Sequence, residues 1–283
     1  MTSNSSSPAG YIFGRNTRAS VRLNYQYYLI SQLTDHELLH PSTREKIDFL
    51  TPGRIADIGT GTAIWPAELA QSLPDWQIDG FDISGDQYPL AHWLPSNVTL
   101  HEHDAFQPFP EEYLGKYDII NVRFLMTLLS GQNLHRLLQN VMSLLKPGGI
   151  FQWMDIDAPS VKAIGPDPTK LESTSTVATL MQTNPPDAAS WITHNCDMVK
   201  PAGFEPVSWG EFRLKDIHRP IWNQCVMMGL EEMTQGLEQS GDQALLVKAE
   251  GLRVLLKNLS IEFGQGASLD TTWFYLVAQK PTY

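Results

Sequence analysis

The sequence predicts an α/β fold: a doubly wound, mostly parallel sheet of seven strands, with an N-terminal helical arm before it and helical lid insertions within it. Three observations carry this. Five short apolar runs between residues 54 and 155 alternate with stretches whose apolar residues recur at helical spacing, as in chains of β-α-β units. The first run, Arg54-Ile-Ala-Asp57-Ile58, passes straight into Gly59-Thr60-Gly61 and a helix start, so strand, tight turn and helix N-terminus follow without a break. The second run, residues 76–81, ends in Asp82, which stands 21 residues after Gly61, the separation of one helix and one strand. Two later strands, 204–214 and 272–279, complete the sheet.

The composition bounds the function. With 283 residues, 42% of them hydrophobic, the chain is long enough to bury a full core, as one α/β domain with additions or as two small domains. A net charge of -11 argues against binding a nucleic-acid backbone, which needs clustered Lys and Arg. Cys196 and Cys225 make neither a disulfide framework nor a Cys-x-x-Cys site, as suits a reducing compartment. The first residues lack the basic start and apolar stretch of a signal peptide, and no run approaches a membrane span, so a cytoplasmic protein without a membrane partner is expected.

In chain order, residues 20–30 set Leu23, Tyr27 and Ile30 on one face of an amphipathic helix. Thr34-x-x-Glu37 and Ser42-x-x-Glu45 read as two capping boxes, each satisfying free helix N–H groups with a hydroxyl and a carboxylate. After the first strand, Gly59 and Gly61 allow a sharp turn and a close ligand approach, and the helix at 63–73 offers its free N–H groups. A dinucleotide would want a third glycine where Ile64 stands. Asp57, read as lying at the mouth of the turn, would oppose a pyrophosphate and suit an ammonium or sulfonium. The loop therefore reads as one for a cation without phosphate. Asp82, at a strand's carboxyl end, is placed to accept hydrogen bonds from both hydroxyls of a ribose.

The third strand, 97–104, puts His101 and His103 on one face, a spacing that metal sites use. Polar residues are ordinary at the sheet edge expected for this strand, and no metal is expected. The fourth strand is 116–123, and the helix at 133–145 carries an apolar stripe of Leu134, Leu137, Leu138, Val141 and Leu145. Lys146-Pro-Gly-Gly149 reads as a turn into the fifth strand at 150–155. Residues 158–190 are rich in Pro and Gly and read as an insertion near the substrate, with room for one helix at 169–182. Helices follow at 188–202, 219–237 and 242–263, the last two a lid or a dimer surface, so a homodimer is admitted. The expected organisation is a disordered tail at 1–10, the arm at 11–50, a cofactor-binding core at 51–157, and substrate and lid helices with the final two strands of the same sheet at 158–283.

On these residues the chain resembles the class I S-adenosylmethionine-dependent methyltransferases, which have a Rossmann-like fold. Asp57-Ile-Gly-Thr-Gly61 is similar to their first motif, and Leu145-Lys-Pro-Gly-Gly149 is a recurrent mark of the same family. Arg22-Leu-Asn24, Gly80-Phe-Asp-Ile-Ser84, Trp93-Leu-Pro95 and Asn121-Val-Arg123 extend the resemblance over nearly the whole chain, towards fungal secondary-metabolite methyltransferases of the gliotoxin and regulator-like types. That resemblance implies S-adenosyl-L-methionine as cofactor and a small natural product as substrate. It also implies a cofactor site made of Tyr11, Arg15, Asp57, Gly59, Thr60, Gly61, Asp82, Ile83, Asp104, Ala105, Phe106, Asn121 and Arg123, with Asp104 at the adenine amino group and an apolar neighbour covering the ring. The arm would lie over the cofactor, so that deleting residues 1–30 should abolish turnover and leave the sheet folded. The chain departs from the pattern at Ala63, where many members carry glycine. Asn184-Pro-Pro-Asp187 resembles the Asn-Pro-Pro-aromatic motif of amide and adenine N-methyltransferases but lacks the aromatic residue and follows the fifth strand region, and it is read as coincidence.

Methyl transfer asks for an aligned nucleophile in a site that excludes water, and positioning alone supplies up to about 7–11 kcal/mol in the best cases. A base is needed only for a protonated acceptor, and Asp157 and His194 are the candidates. The expected activity is transfer of a methyl group to an O or N atom of a small secondary metabolite. Two alternatives stay open: a pericyclase that uses the cofactor as a fixed positive charge, and a non-catalytic regulator of secondary metabolism.

Overall fold

Among the described residues nine strands form: β1 Arg54–Ile58, β2 Gln77–Asp82, β3 Val98–Glu102, β4 Tyr117–Arg123, β5 Leu145–Ile156, β6 Lys162–Ile164, β7 Glu205–Arg213, β8 Ser268–Asp270 and β9 Thr272–Gln279. The structure is a computed structural model that describes residues 14–183 and 196–282. Tyr11, His194, the Asn184 to Asp187 tetrapeptide and the first part of the helix expected at 188–202 lie outside the described residues. Seven strands pair in the order β3-β2-β1-β4-β5-β9-β7, with β1 to β5 parallel and β9 antiparallel between β5 and β7. This is the mostly parallel, doubly wound sheet the sequence predicts. The strand order reverses between β1 and β4, and a crevice opens there at the carboxyl ends.

The central strands read as continuous apolar runs because both of their faces are covered. On one face Trp65 and Leu69 of α3 (Ile64–Ser72) pack with Ile55, Ile78 and Ile119. On the other, Leu134, Leu137, Leu138, Val141 and Leu144 of α4 (Gly131–Leu144) join a larger cluster with Ile120, Phe151, Trp153 and Phe274.

Four expectations are corrected. The Lys146-Pro-Gly-Gly149 segment does not leave the sheet: Tyr117 pairs with Leu145 and Ile119 with Ile150, so residues 146–149 bulge opposite Asp118, and Leu145 opens the strand instead of closing the helix. Lys146 Nζ holds that bulge by donating to both Asp118 oxygens at 2.9 and 2.7 Å. The two capping boxes do not form. Helix α1 (Thr17–Leu33) runs up to Thr34, whose hydroxyl caps its end by donating to Ile30 O, while Glu37 pairs with Arg44. Pro41 takes the first position of α2 (Pro41–Arg44), which makes His40 the cap: its ring nitrogen accepts from Ser42 N at 3.1 Å. The described end of the 188–202 segment is a 3-10 turn, Cys196–Ala202, with Pro201 inside it.

The arm is the fourth correction. Leu29 and Ile30 are 0% and 4% exposed within the larger core cluster, and Arg22 donates twice to Glu232 of α6 (Arg219–Gln239), at 2.8 and 3.1 Å. An excision of residues 1–30 would open the core and strand a buried carboxylate, so it does not test the arm's role. After β5 the chain adds a small antiparallel ribbon of β6 with β8, α5 (Glu172–Gln182), α6 and α7 (Gln243–Gly264), with α6 packed between α1 and α7.

Candidate active site

The glycine loop sits at the β1/β4 reversal. Gly59 N and Thr60 N both donate to Phe81 O, at 2.8 and 3.0 Å, which folds the loop back over the end of β2. Gly59, Gly61 and Ala63 all adopt left-handed backbone, at φ 74°, 56° and 58°. For alanine that region costs about 1–2 kcal/mol, so a glycine there relieves strain and does not merely make space. Gly61 N donates to Asp82 Oδ2 at 2.8 Å, joining the loop to the end of β2. Burial pushes the Asp82 carboxyl up, while the N–H groups of Gly61, Ser84 and Ile83 and the Arg15 charge pull it back.

Around this corner lies a cavity of about 360 Å³, within the range of small-molecule sites. Of the residues expected at the cofactor, Arg15, Gly59, Thr60, Gly61, Asp82, Ile83, Asp104, Ala105, Phe106 and Arg123 line it. Asp104 shapes the far wall: its Oδ1 accepts from Phe106 N at 2.9 Å, which turns the 104–106 segment towards the cavity. Helix α1 forms the roof. Asn24 Oδ1 accepts from the Thr62 hydroxyl at 2.6 Å, Ser20 Oγ accepts from Gln87 Nε2 at 3.2 Å, and Leu23 lies against Gly61.

Asp57 and Asn121 do not line this cavity. Asp57 is 1% exposed and lies beneath the loop, not at its mouth, because β1 and β4 pair in register at Asp57 and Asn121, which sets both side chains on one face of the sheet. Its Oδ1 accepts from Asn121 Nδ2 at 2.6 Å, and Asn121 Oδ1 accepts from Gln152 Nε2 at 2.8 Å. Gln152 Nε2 also donates to Leu38 O, and its Oε1 accepts from His40 N and the Thr43 hydroxyl, so an amide relay crosses three strands from the glycine loop to the segment after α1. Burial raises the Asp57 carboxyl, opposed chiefly by the Arg123 charge. The Arg123 guanidinium lies over the Tyr27 and Trp65 rings at 5.3 and 5.5 Å, and Tyr27 and Arg123 separate the first cavity from a second of about 440 Å³ under the 30–41 segment.

Asp157 lines neither cavity. It is 4% exposed at the end of β5, where its carbonyl accepts from Ser160 N and its own N–H donates to Thr272 O. His101 turns to Asp79 at 3.1 Å, while His103 lines the cavity and lies against Phe109, the rings tilted by 44° with centroids 4.0 Å apart.

Two residues that position the site carry no motif. Asn140 of α4 donates to Ala105 O and Gln107 O, both at 2.8 Å, and so holds the wall behind Asp104. Asp155 is buried in β5 and takes four donors: Leu125 N, Met126 N and Trp153 Nε1 on Oδ2, and Ile156 N on Oδ1. Burial pushes its carboxyl up to about 7 against those four donors. Asp155 thereby fixes the loop after β4, where Phe124 has φ 57° and where Phe124, Leu125 and Leu128 enter the cavity wall. Asp155→Asn turns one amide N–H group against a backbone donor, and the expected loss is about 1–3 kcal/mol of stability. Urea unfolding of variant and wild type checks this, and equal midpoints would show that the loop is held by other means.

Comparison with known proteins decides the family. A family model described as a methyltransferase domain matches residues 26–213, about two thirds of the chain, including the glycine loop, Asp82, the 104–106 wall and β4. The chain belongs to this methyltransferase family. Methyltransferase grgD of a Penicillium species is 32% identical over 210 residues, covering 71% of this chain and 68% of that protein. N-methyltransferase tcpN of Claviceps purpurea is 33% identical over 153 residues, covering 53% and 52%. The secondary metabolism regulator laeA of Fusarium oxysporum is 27% identical over 205 residues, covering 70% and 53%. The match thus spans about half the length of tcpN and laeA. Among solved structures, phosphoethanolamine N-methyltransferase 2 of Haemonchus contortus, with S-adenosyl-L-methionine, aligns with a TM-score of 0.46 at 18% identity, covering 91% of this chain and 52% of that one. Among the described residues of this methyltransferase no helix is long and apolar enough to cross a membrane, and no group of three or more His, Cys, Asp or Glu is placed to hold a metal ion.

Proposed function

We propose that this methyltransferase transfers a methyl group to an O or N atom of a small secondary metabolite, with S-adenosylmethionine as the donor. The observation that carries the reading is the joining of Gly61 N to Asp82 Oδ2 inside a cavity whose far wall is built on Asp104. The donor set fits the cofactor. Asp82 would accept from the ribose hydroxyls, Asp104 would meet the adenine amino group, and Phe106 would cover the ring. Asp57 Oδ2 is buried and makes no hydrogen bond of normal geometry, so an acidic group that burial raises lies beneath the loop, and a cation held above it would favour its ionised form.

The cofactor supplies an electrophilic methyl group on a sulfonium, and the thioether leaves without acid help. The chain's own part is to align and to exclude water. Helix α1 closes the roof through Asn24 and Leu23, and the loop that Asp155 holds supplies apolar wall. The acceptor would lie among Gln26, Phe124, Thr127 and Asn133, which line the same cavity. The name of the relative tcpN, an N-methyltransferase, supports nitrogen, and that of laeA, a secondary metabolism regulator, supports a tie to secondary metabolism.

Purified protein incubated with methyl-labelled S-adenosylmethionine and fungal culture extracts tests this. Labelled small products should form with release of S-adenosylhomocysteine, and NMR correlation from the labelled methyl group identifies the acceptor atom. Product conversion without consumption of the cofactor would overturn methyl transfer, and calorimetric binding of NAD in place of S-adenosylmethionine would overturn the cofactor assignment.

A further inference from the structure

Helix α7 has two apolar faces and buries one. Ala249, Leu256 and Leu259 are buried, with Leu252, Leu255 and Phe263 partly so, towards α5 and α6. On the opposite side Val247, Val254 and Ile261 are 62%, 58% and 53% exposed. They stand seven residues apart, so each drifts only about 20° from the last and the three form one straight stripe. Gly251 and Asn258 run beside the stripe on one flank, both exposed, and nothing lies within 4 Å of a Cβ added at Gly251. On the other flank stand Glu250 and Lys257, also exposed.

This face is complementary to itself when reversed. In an antiparallel pair about a two-fold axis at Val254, Val254 meets Val254 of the second copy and Val247 meets Ile261. The flank with Glu250 meets its own copy, so Glu250 lies within one helical rise of Lys257 of the second copy, twice over by symmetry. On the remaining flank Gly251 faces Asn258, a small residue opposite a larger one, which lets the helices approach. A parallel pair gives no such match, because each copy then sets Glu250 at the same height as the other Glu250. Isologous contacts of this kind close at two copies and leave no free face.

We propose that this methyltransferase forms a two-fold dimer through antiparallel packing of α7, with Val247, Val254 and Ile261 as the apolar seam and reciprocal Glu250 to Lys257 pairs fixing the direction. The occupant is a second copy of this chain, chosen on the reversal of charge about Val254. The proposal is independent of which acceptor is methylated. A helix of 22 residues is about 33 Å long, and one such contact falls short of the roughly 800 Å² per partner of a standard interface, so association in the micromolar range is expected.

Sedimentation velocity of the full chain, from sub-micromolar to tens of micromolar, should show a monomer passing to a dimer. Val254→Glu places two like charges on the axis and should hold the protein monomeric throughout with unchanged circular dichroism. Glu250→Lys and Lys257→Glu should each weaken the dimer about tenfold, and the double exchange should restore it, because the exchanged pairs are again opposite in charge. A monomer at every concentration overturns the proposal. So does a dimer indifferent to Val254→Glu, or a double exchange no tighter than the single ones, since either places the contact elsewhere or in another orientation.

Discussion

Asp82→Ala is expected to weaken S-adenosylmethionine binding by about 2–3 kcal/mol, a factor of roughly 30–150, while the protein stays folded. The carboxylate is the charged acceptor available to a ribose at this end of the cavity, and its desolvation is offset only in part by the N–H groups of Gly61, Ser84 and Ile83. The alanine variant also releases Gly61 N, so the glycine loop loses its tie to β2. Asp82→Asn separates the two effects, because its amide oxygen still accepts from Gly61 while the charge is gone. Isothermal titration of both variants measures them, and an unchanged dissociation constant in a folded Asp82→Ala protein would show that the ribose is not held here.

Arg22→Met is expected to lower stability by about 3–5 kcal/mol, the largest effect of any exchange in the arm. Glu232 is 6% exposed and would be left buried without its guanidinium. The double variant Arg22→Met with Glu232→Leu should regain most of the loss, since an apolar pair of similar volume removes both desolvation terms. Urea unfolding of the four proteins measures the coupling. Were the arm a dispensable cover, as its position ahead of the fold suggests, Arg22→Met would be neutral and its partner's exchange independent of it.

The contrast between these two positions shows what a sequence displays. The place of Asp82 beside the glycine loop was legible because it follows from local order: a strand ends, a carboxylate stands there, and the chain has counted one helix since Gly61. The same holds for β1, α3 and β9, whose apolar periods identify them without reference to anything distant. Arg22 meets Glu232 across 210 residues, and Asp155 meets Leu125 across 30, with nothing in the spacing to announce either. The capping boxes failed for the opposite reason: their local pattern is present, but α1 continues to Thr34 because its inner face reaches the core at Leu29 and Ile30. Strands β6 and β8 have three residues each, too few for alternation to register. Asp57 was placed at the right strand end and on the wrong side of the loop, a distinction that only the pairing with β4 decides.

The relay from Asp57 through Asn121 and Gln152 has a sense of direction. Primary amides are symmetrical enough in shape to sit either way round, and an isolated string of them has two states. Here Asp57 Oδ1 ends the string as an acceptor, and at the other end Leu38 O accepts and His40 N donates. Asn121 must turn its nitrogen to Asp57, its oxygen must then receive Gln152, and the Gln152 oxygen is left to receive His40 and Thr43. The buried Asp57 carboxyl at one end and the backbone groups of Leu38 and His40 at the other thus fix every amide the same way round. A flipped amide anywhere along it would oppose two donors or two acceptors at one end, which ties the floor of the glycine loop to the segment after α1 in a single arrangement.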